Sequence, residues 1–272
     1  MWRLKAGIES ESSVLRQEPL SLREEFRFRR FGLEHDSPQD FLRSQWQSKP
    51  KSFYFLTYRW LLGAFFGTGV IRYTTQYYHH GYCFIYLTNL GFILGGLTSL
   101  TGAILVSVYH CKPETWVPPS FWIKTYWACY WTNLSLACMI ALTYWTTIYP
   151  DDRVLTNPAR VSTLYNIWTH LLPPILFTAD HFVVAQPARL MHFVYPLAFL
   201  FSYGVFTLIF YLLGGRNING KHYIYPFLNY KKPRLICGTV AGLSLLMVSL
   251  CTLQYALYRL RIFIARKREK IV

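Results

Sequence analysis

The chain has 272 residues, of which 53% are hydrophobic and 18% aromatic, and it carries a formal net charge of +15. So apolar a composition, with only 13 acidic residues, excludes an ordinary soluble domain. The charge excess does not point to nucleic acid: no nucleic-acid motif accompanies the basic residues, which flank apolar runs where each meets anionic headgroups at about 1 kcal/mol.

Residues 1–51 are polar and hold ten of the 28 Lys and Arg and eight of the 13 Asp and Glu. They contain no apolar core and cleavage site of a signal peptide, so the first apolar run is expected to be its own insertion signal. Ser21-Leu22-Arg23-Glu24 has capping-box spacing. A short amphipathic helix after it would set Phe26, Phe28 and Phe31 against the membrane surface, and Asp40 to Trp46 also has interfacial character. A mobile tail is the alternative.

Six apolar runs follow, at 54–75, 82–108, 121–148, 161–183, 193–213 and 235–258, each near the roughly 20 residues that cross a ~30 Å hydrocarbon layer. Runs of this length satisfy their backbone groups in lipid as helices. With the N-terminus cytoplasmic, some 18 of the 28 Lys and Arg fall on the cytoplasmic side, against eight outside. The basic loop 214–234 runs against this orientation. The expected fold is therefore all-α: a transmembrane bundle of about six helices, with a cytoplasmic segment 1–51, a membrane domain 52–258 and a cytoplasmic tail 259–272. Gly63 with Gly67, and Gly91 with Gly95, have the spacing that lets helix backbones approach, which predicts packing within the bundle. Tyr77, Tyr78, Trp116, Trp145 and Tyr149 cluster near span ends as an aromatic belt. The six cysteines show no metal or redox spacing, and no cofactor signature is present. Cys111 is juxtamembrane and open to palmitoylation.

Ionisable groups inside spans are costly and are read first as functional. Asp180 is the only carboxylate in an expected span, which argues against paired-carboxylate chemistry. His170 and His181 lie eleven residues apart, three turns, on one side of the fourth span. Pro173 and Pro174 lack N–H groups, so carbonyls one turn earlier lose their helical partners and a kink beside His170 is expected. Asn166, one turn before His170, is placed to hydrogen-bond the ring. His170 is then either part of a polar cavity or a structural bridge between helices. Thr88 lies about 10 Å deep in the second span and His170 about 14 Å deep in the fourth, in one layer. A hydroxyl beside a neutral imidazole is the minimum for an activated nucleophile. The usual reading of a lone Thr is a bond to its own helix. The aromatic loop Gly220 to Leu228 reads as an interfacial loop or as a lid.

Phe31-Gly32-Leu33-Glu34-His35, Phe41-Leu42-Arg43-Ser44-Gln45-Trp46-Gln47, Thr169-His170-Leu171-Leu172-Pro173 and Tyr225-Pro226-Phe227-Leu228, with the span pattern, resemble the rolling stone family of insect membrane proteins. The resemblance runs from about Phe28 to the tail. It implies a multi-pass plasma-membrane protein acting in myoblast fusion and muscle formation. More distantly, Leu87-Thr88-Asn89 and the Asn166–His170 pair are similar to the androgen-induced and androgen-dependent family, six-span hydrolases of fatty acid esters of hydroxy fatty acids. That likeness implies Thr88 as nucleophile, His170 as general base and Asn166 as positioner. The chain departs from that family in its long N-terminal segment and in Pro173-Pro174. The expected function is thus support of cell fusion or membrane remodelling, with intramembrane lipid-ester hydrolysis as the rival. The expected partners are membrane lipids and, in the rival reading, a lipid ester, and not nucleic acid. The expected location is the plasma membrane, with the endoplasmic reticulum as alternative because Arg268 to Val272 resembles a dibasic retrieval signal.

Overall fold

The computed structural model describes residues 21–149 and 162–269, and among them helices are joined by turns and loops, with one isolated antiparallel bridge, Ser44 to Val184. Six helices carry the architecture: α1 (Phe53–Gln76), α2 (Leu87–Cys111), α3 (Ser120–Thr143), α4 (Leu172–Val183), α5 (Val194–Leu212) and α6 (Pro233–Glu269). Three of the apolar stretches, Leu87–Cys111, Leu190–Leu212 and Pro233–Arg268, are long and apolar enough to cross a membrane. The other three expected spans are helical but fall short of this: α1 carries Arg59 and Arg72, α3 is diluted by Lys124, Tyr, Trp, Thr and Asn, and α4 is apolar but only 12 residues long.

The helices alternate between two ends. At the proximal end, Lys51 donates to the carbonyls of His110 and Lys112, and Gln39 to that of Glu114 (2.9 Å). At the distal end, Tyr165 donates to Gln76 (2.9 Å) and the ring of Tyr86 meets that of Tyr225. Ser52 caps α1 by accepting from the amide of Phe55 (3.3 Å). Both glycine pairs serve packing inside the bundle. A side-chain carbon on Gly63 or Gly67 would lie against Leu100 of α2, and one on Gly91 would lie 2.8 Å from Ile140 of α3.

Several boundaries differ from the sequence reading. α2 begins at Leu87 rather than 82, because His79, His80 and Gly81 turn the chain through positive φ (42°, 56° and 89°) before a 3₁₀ stretch ending at Ile85. α3 runs into a π turn, Tyr144–Ile148, and the fourth run is composite: Thr163–Asn166, a π turn at Ile167–Leu171, then α4 with its prolines in the first turn. The expected disruption before Pro173 thus takes the form of a π turn, which absorbs the lost hydrogen bonds. α6 continues past 258 because Tyr255, Tyr258, Ile262 and Ala265 recur at helical spacing and are buried. The last residues of the retrieval-like tail, and Arg153 and Arg160, lie outside the described residues.

The segment from Ser21 to Lys51 docks on the proximal end. Its Ser21 side chain makes no cap bond, so the capping box is not formed, and the helix it precedes is only Leu22–Glu25. Beyond it, Phe41 and Leu42 are buried against the bundle. The short α4 leaves carbonyls without helical partners. Trp46 Nε1 donates to Phe182 O (2.7 Å), Ser44 Oγ to Val183 O (2.8 Å) and Arg261 to His181 O (2.6 Å). Arg189 donates to the carbonyls of Gly32 and Glu34 and lies over the Trp127 ring. Glu25 accepts from Arg30 (3.0 Å) and from the Leu190 amide (3.3 Å).

Candidate functional site

Two polar clusters sit inside the helices. The first is an ion pair at the proximal third. Arg59 of α1 donates to both oxygens of Asp180 of α4 (2.9 and 3.1 Å), Tyr58 donates to Asp180 (2.8 Å), and Arg59 reaches Tyr126 of α3 (2.7 Å). Both charges are buried, Arg59 at 2% and Asp180 at 0% exposure. The site exists because α2 has glycine opposite it: a side-chain carbon on Gly102 would lie 1.9 Å from Arg59 Nη2. Asp180 is thus consumed by a structural pair, which leaves no spare carboxylate for chemistry there. Sequence reasoning named Asp180 and missed Arg59. The available signal was two opposite charges in apolar runs, Arg59 within about 9 Å of the start of α1 and Asp180 within about 5 Å of the end of α4, both at the proximal end.

The second cluster surrounds a small cavity between α1, α2, α3 and α4. Phe66, Phe92, Ile140 and Phe177 give it apolar walls, and Thr88, Asn133 and Thr169 give it polar ones. Space clear of the walls is enough for about one water molecule. Thr88 is at the cavity, with the side chain of Tyr225, in the loop after α5, close beside it. Burial pushes the Tyr225 phenol up to about 12, so it stays neutral. That loop, expected as an interfacial loop or lid, packs over the start of α2: Tyr225 and Leu228 are buried, and the Tyr225 ring lies against Tyr86.

His170 sits behind the cavity rather than in its wall. Its ring stacks on Tyr144 (3.5 Å between centroids, 16°), so the two π turns face each other. Nδ1 lies 2.9 Å from Thr169 Oγ1 and 3.1 Å from the carbonyl oxygen of Asn166. Thr169 Oγ1 itself donates to Tyr165 O (2.8 Å). Both neighbours of Nδ1 are therefore acceptors, which places the proton on Nδ1 and leaves the Nε2 lone pair available. Asn166 holds the ring as anticipated, but through its backbone carbonyl. No hydrogen bond joins Thr88 to His170; the hydroxyl that touches the imidazole is Thr169, which the sequence reading did not single out. His181 also faces α3, with its ring 6.1 Å from Trp131, and its Nε2 pairs with Gln254 O of α6 (3.0 Å). Among the described residues no group of three His, Cys, Asp or Glu converges as metal ligands would, and all six cysteines are free.

The arrangement offers a neutral imidazole with an open nitrogen, a hydroxyl at a cavity mouth and an apolar pocket between them. A family model described as protein rolling stone matches residues 19–271. The protein rolling stone of Drosophila melanogaster is 32% identical over 255 residues, which cover 89% of this chain and 90% of its own length. No solved structure matches the chain.

Proposed function

Because the chain belongs to the rolling stone family, we propose that it is a six-span membrane protein acting in cell fusion or membrane remodelling, with both ends cytoplasmic and the plasma membrane as its site. The observation that carries this reading is the character of its outer surface. Phe201 of α5, Leu212 of α5 and Leu245 of α6 are 74%, 70% and 69% exposed, which only a lipid environment solvates favourably. The alternation of the helices supports an even number of crossings, and the docked N-terminal segment, whose exposed Arg23, Arg27 and Arg29 would face anionic headgroups, supports a cytoplasmic proximal end. The test is a cell-mixing assay with the chain tagged at its N-terminus. Surface delivery, an internal tag and reduced fusion on depletion support the proposal. Retention in the endoplasmic reticulum with fusion unchanged refutes it.

A second reading is favoured by the proton placement on His170. With Nε2 as the open base, Thr88 at the cavity mouth would be the nucleophile toward a lipid ester, with His170 accepting its proton and Asn166 fixing the ring. Substrate entry would have to draw Thr88 from Tyr225 toward His170. The purified protein is assayed on long-chain fatty esters beside Thr88→Ala and His170→Ala. Loss of at least about a hundredfold in either variant supports hydrolysis. Equal rates in all three folded proteins remove it.

A further inference from the structure

The loop between α5 and α6 carries charge of one sign. Between Asp180 and Glu269 the chain contains no Asp or Glu, yet Arg216, Lys221, Lys231, Lys232 and Arg234 stand together in this loop. All five are exposed, and among the described residues none takes part in an ion pair. The proximal segment is different: there Glu25 answers Arg30 and Asp40 answers Arg43.

The loop is held in a defined shape. Asn217 Oδ1 accepts from the amides of Asn219 (3.0 Å) and Lys221 (2.9 Å), which fixes Arg216 and Lys221 on one turn. Asn229 Oδ1 accepts from the Lys231 amide (3.1 Å), and the Lys232 amide donates to Asn229 O (2.9 Å), which fixes a second turn. The hydroxyls of Thr207 and Tyr230 meet at 2.8 Å, and Thr239 donates to Phe227 O (3.0 Å), so the loop is tied to α5 and to α6. Like charges held in place repel one another. An anion from outside would offset that cost.

Depth decides which anion. Leu212 and Leu213, at 70% and 82% exposure, come four and three residues before Arg216, and exposed Leu235 follows Arg234 directly. At both ends of the loop the cations thus lie within about 10 Å of side chains that only lipid solvates favourably. That is the level of phospholipid headgroups. We infer that loop 214–234 is a recognition surface for anionic phospholipid headgroups in the distal leaflet. The inference rests on the membrane reading above. With both ends cytoplasmic, this leaflet is the outer one, whereas the anionic surface is the cytoplasmic one. The site then fills where anionic lipid has crossed the bilayer, which couples the protein to membrane that has lost its asymmetry.

The experiment uses Cys237, free and exposed near the start of α6, as a local reporter. The full chain, with Cys111→Ser to remove the other exposed thiol, is labelled with a maleimide fluorophore and placed in phosphatidylcholine nanodiscs. The discs contain a small fraction of phosphatidylserine spin-labelled high on its acyl chain, or phosphatidylcholine labelled in the same way as control. The expected result is quenching about fivefold stronger by the phosphatidylserine probe at low salt, the gain of one cation at an anionic surface, or more. The preference should shrink but persist at physiological salt. The combined variant Lys231→Gln, Lys232→Gln, Arg234→Gln changes exposed side chains only, so it should fold, as a melting curve would show, and should quench equally with both probes. Arg23→Gln, Arg27→Gln, Arg29→Gln at the other rim should leave the preference unchanged. Equal quenching of the unmodified loop by the two probes, or an undiminished preference in the distal triple variant, overturns the inference while the membrane reading stands. A preference that vanishes at physiological salt while heparin still binds also overturns it, in favour of a soluble polyanion. Quenching by neither probe removes the loop from the bilayer, and the inference falls together with the membrane reading.

Discussion

Replacing Asp180 with Asn should destabilise the protein severely, and the structure sets the size. The carboxylate receives two bonds from Arg59 and one from Tyr58, all between 2.8 and 3.1 Å, with both charges out of reach of solvent. Two unit charges 4 Å apart at an effective dielectric near 20 attract by about 4 kcal/mol. Removing one partner of a buried pair costs about 3–5 kcal/mol, because the other charge is left uncompensated. For a chain of this size that corresponds to a melting temperature lower by roughly 6–20 °C. The double variant Arg59→Met, Asp180→Leu removes both charges and should recover most of the loss, since apolar replacement of a buried pair is often close to neutral. The assay is thermal unfolding in detergent for the two singles and the double, read as a mutant cycle. An Asp180→Asn shift below about 2 °C, or a double variant as unstable as the sum of its singles, would refute the reading of this contact as a structural ion pair between α1 and α4.

Gly102→Ala should cost about as much as Asp180→Asn, because the added carbon would lie 1.9 Å from Arg59 Nη2 and displace it; melting of the combined variant should fall well short of additive. Arg189→Ala removes two carbonyl bonds and the contact over Trp127, so trypsin should cut at Arg27–Arg30 much faster while α2 to α6 stay protected. Docking of the N-terminal segment should weaken in acid. Burial lowers the His35 pKa from 6.5, with Asp40 and Asp36 opposing and Arg189 and Arg30 assisting. The undocked segment therefore takes up the proton first, and docking strength falls as pH drops from about 6.5 through the lower docked value. Hydrogen exchange of residues 21–47, corrected for intrinsic rates, should rise over that range and not in His35→Asn. Trp46→Phe loses the bond to Phe182 O and should cost about 1 kcal/mol by the same melting assay.

The helices were legible because burial in lipid demands long apolar runs, and five of the six runs begin and end within about five residues of helical segments. The sixth helix reads as ending at 258 because Arg259 and Arg261 look like a juxtamembrane tail. Their helix continues because Arg261 finds carbonyls at His181 and Gln186, partners more than 70 residues away that no local pattern reveals. The proline pair announced a disturbance near His170 but not its form, since a π turn shifts the register by one residue without a sequence mark. Thr88, Asn166 and His170 were visible as polar residues in apolar runs. Their pairing was not, because it depends on rotation about each helix: the imidazole met Thr169 and the nucleophile candidate met Tyr225. Asn133 carried no signal, being one amide among aromatics.

The docked segment acts as a hoop around one rim of a set of staves. From Gln39 at Glu114, through Trp46 at Phe182, to Gly32 under Arg189, it ties together chain ends that are remote in sequence. At the opposite rim the described residues meet through the Tyr165–Gln76 bond, two facing π turns and an aromatic loop laid over the start of α2. Removing the hoop should therefore loosen the proximal rim first and leave the cavity mouth at Thr88, toward the other rim, in place.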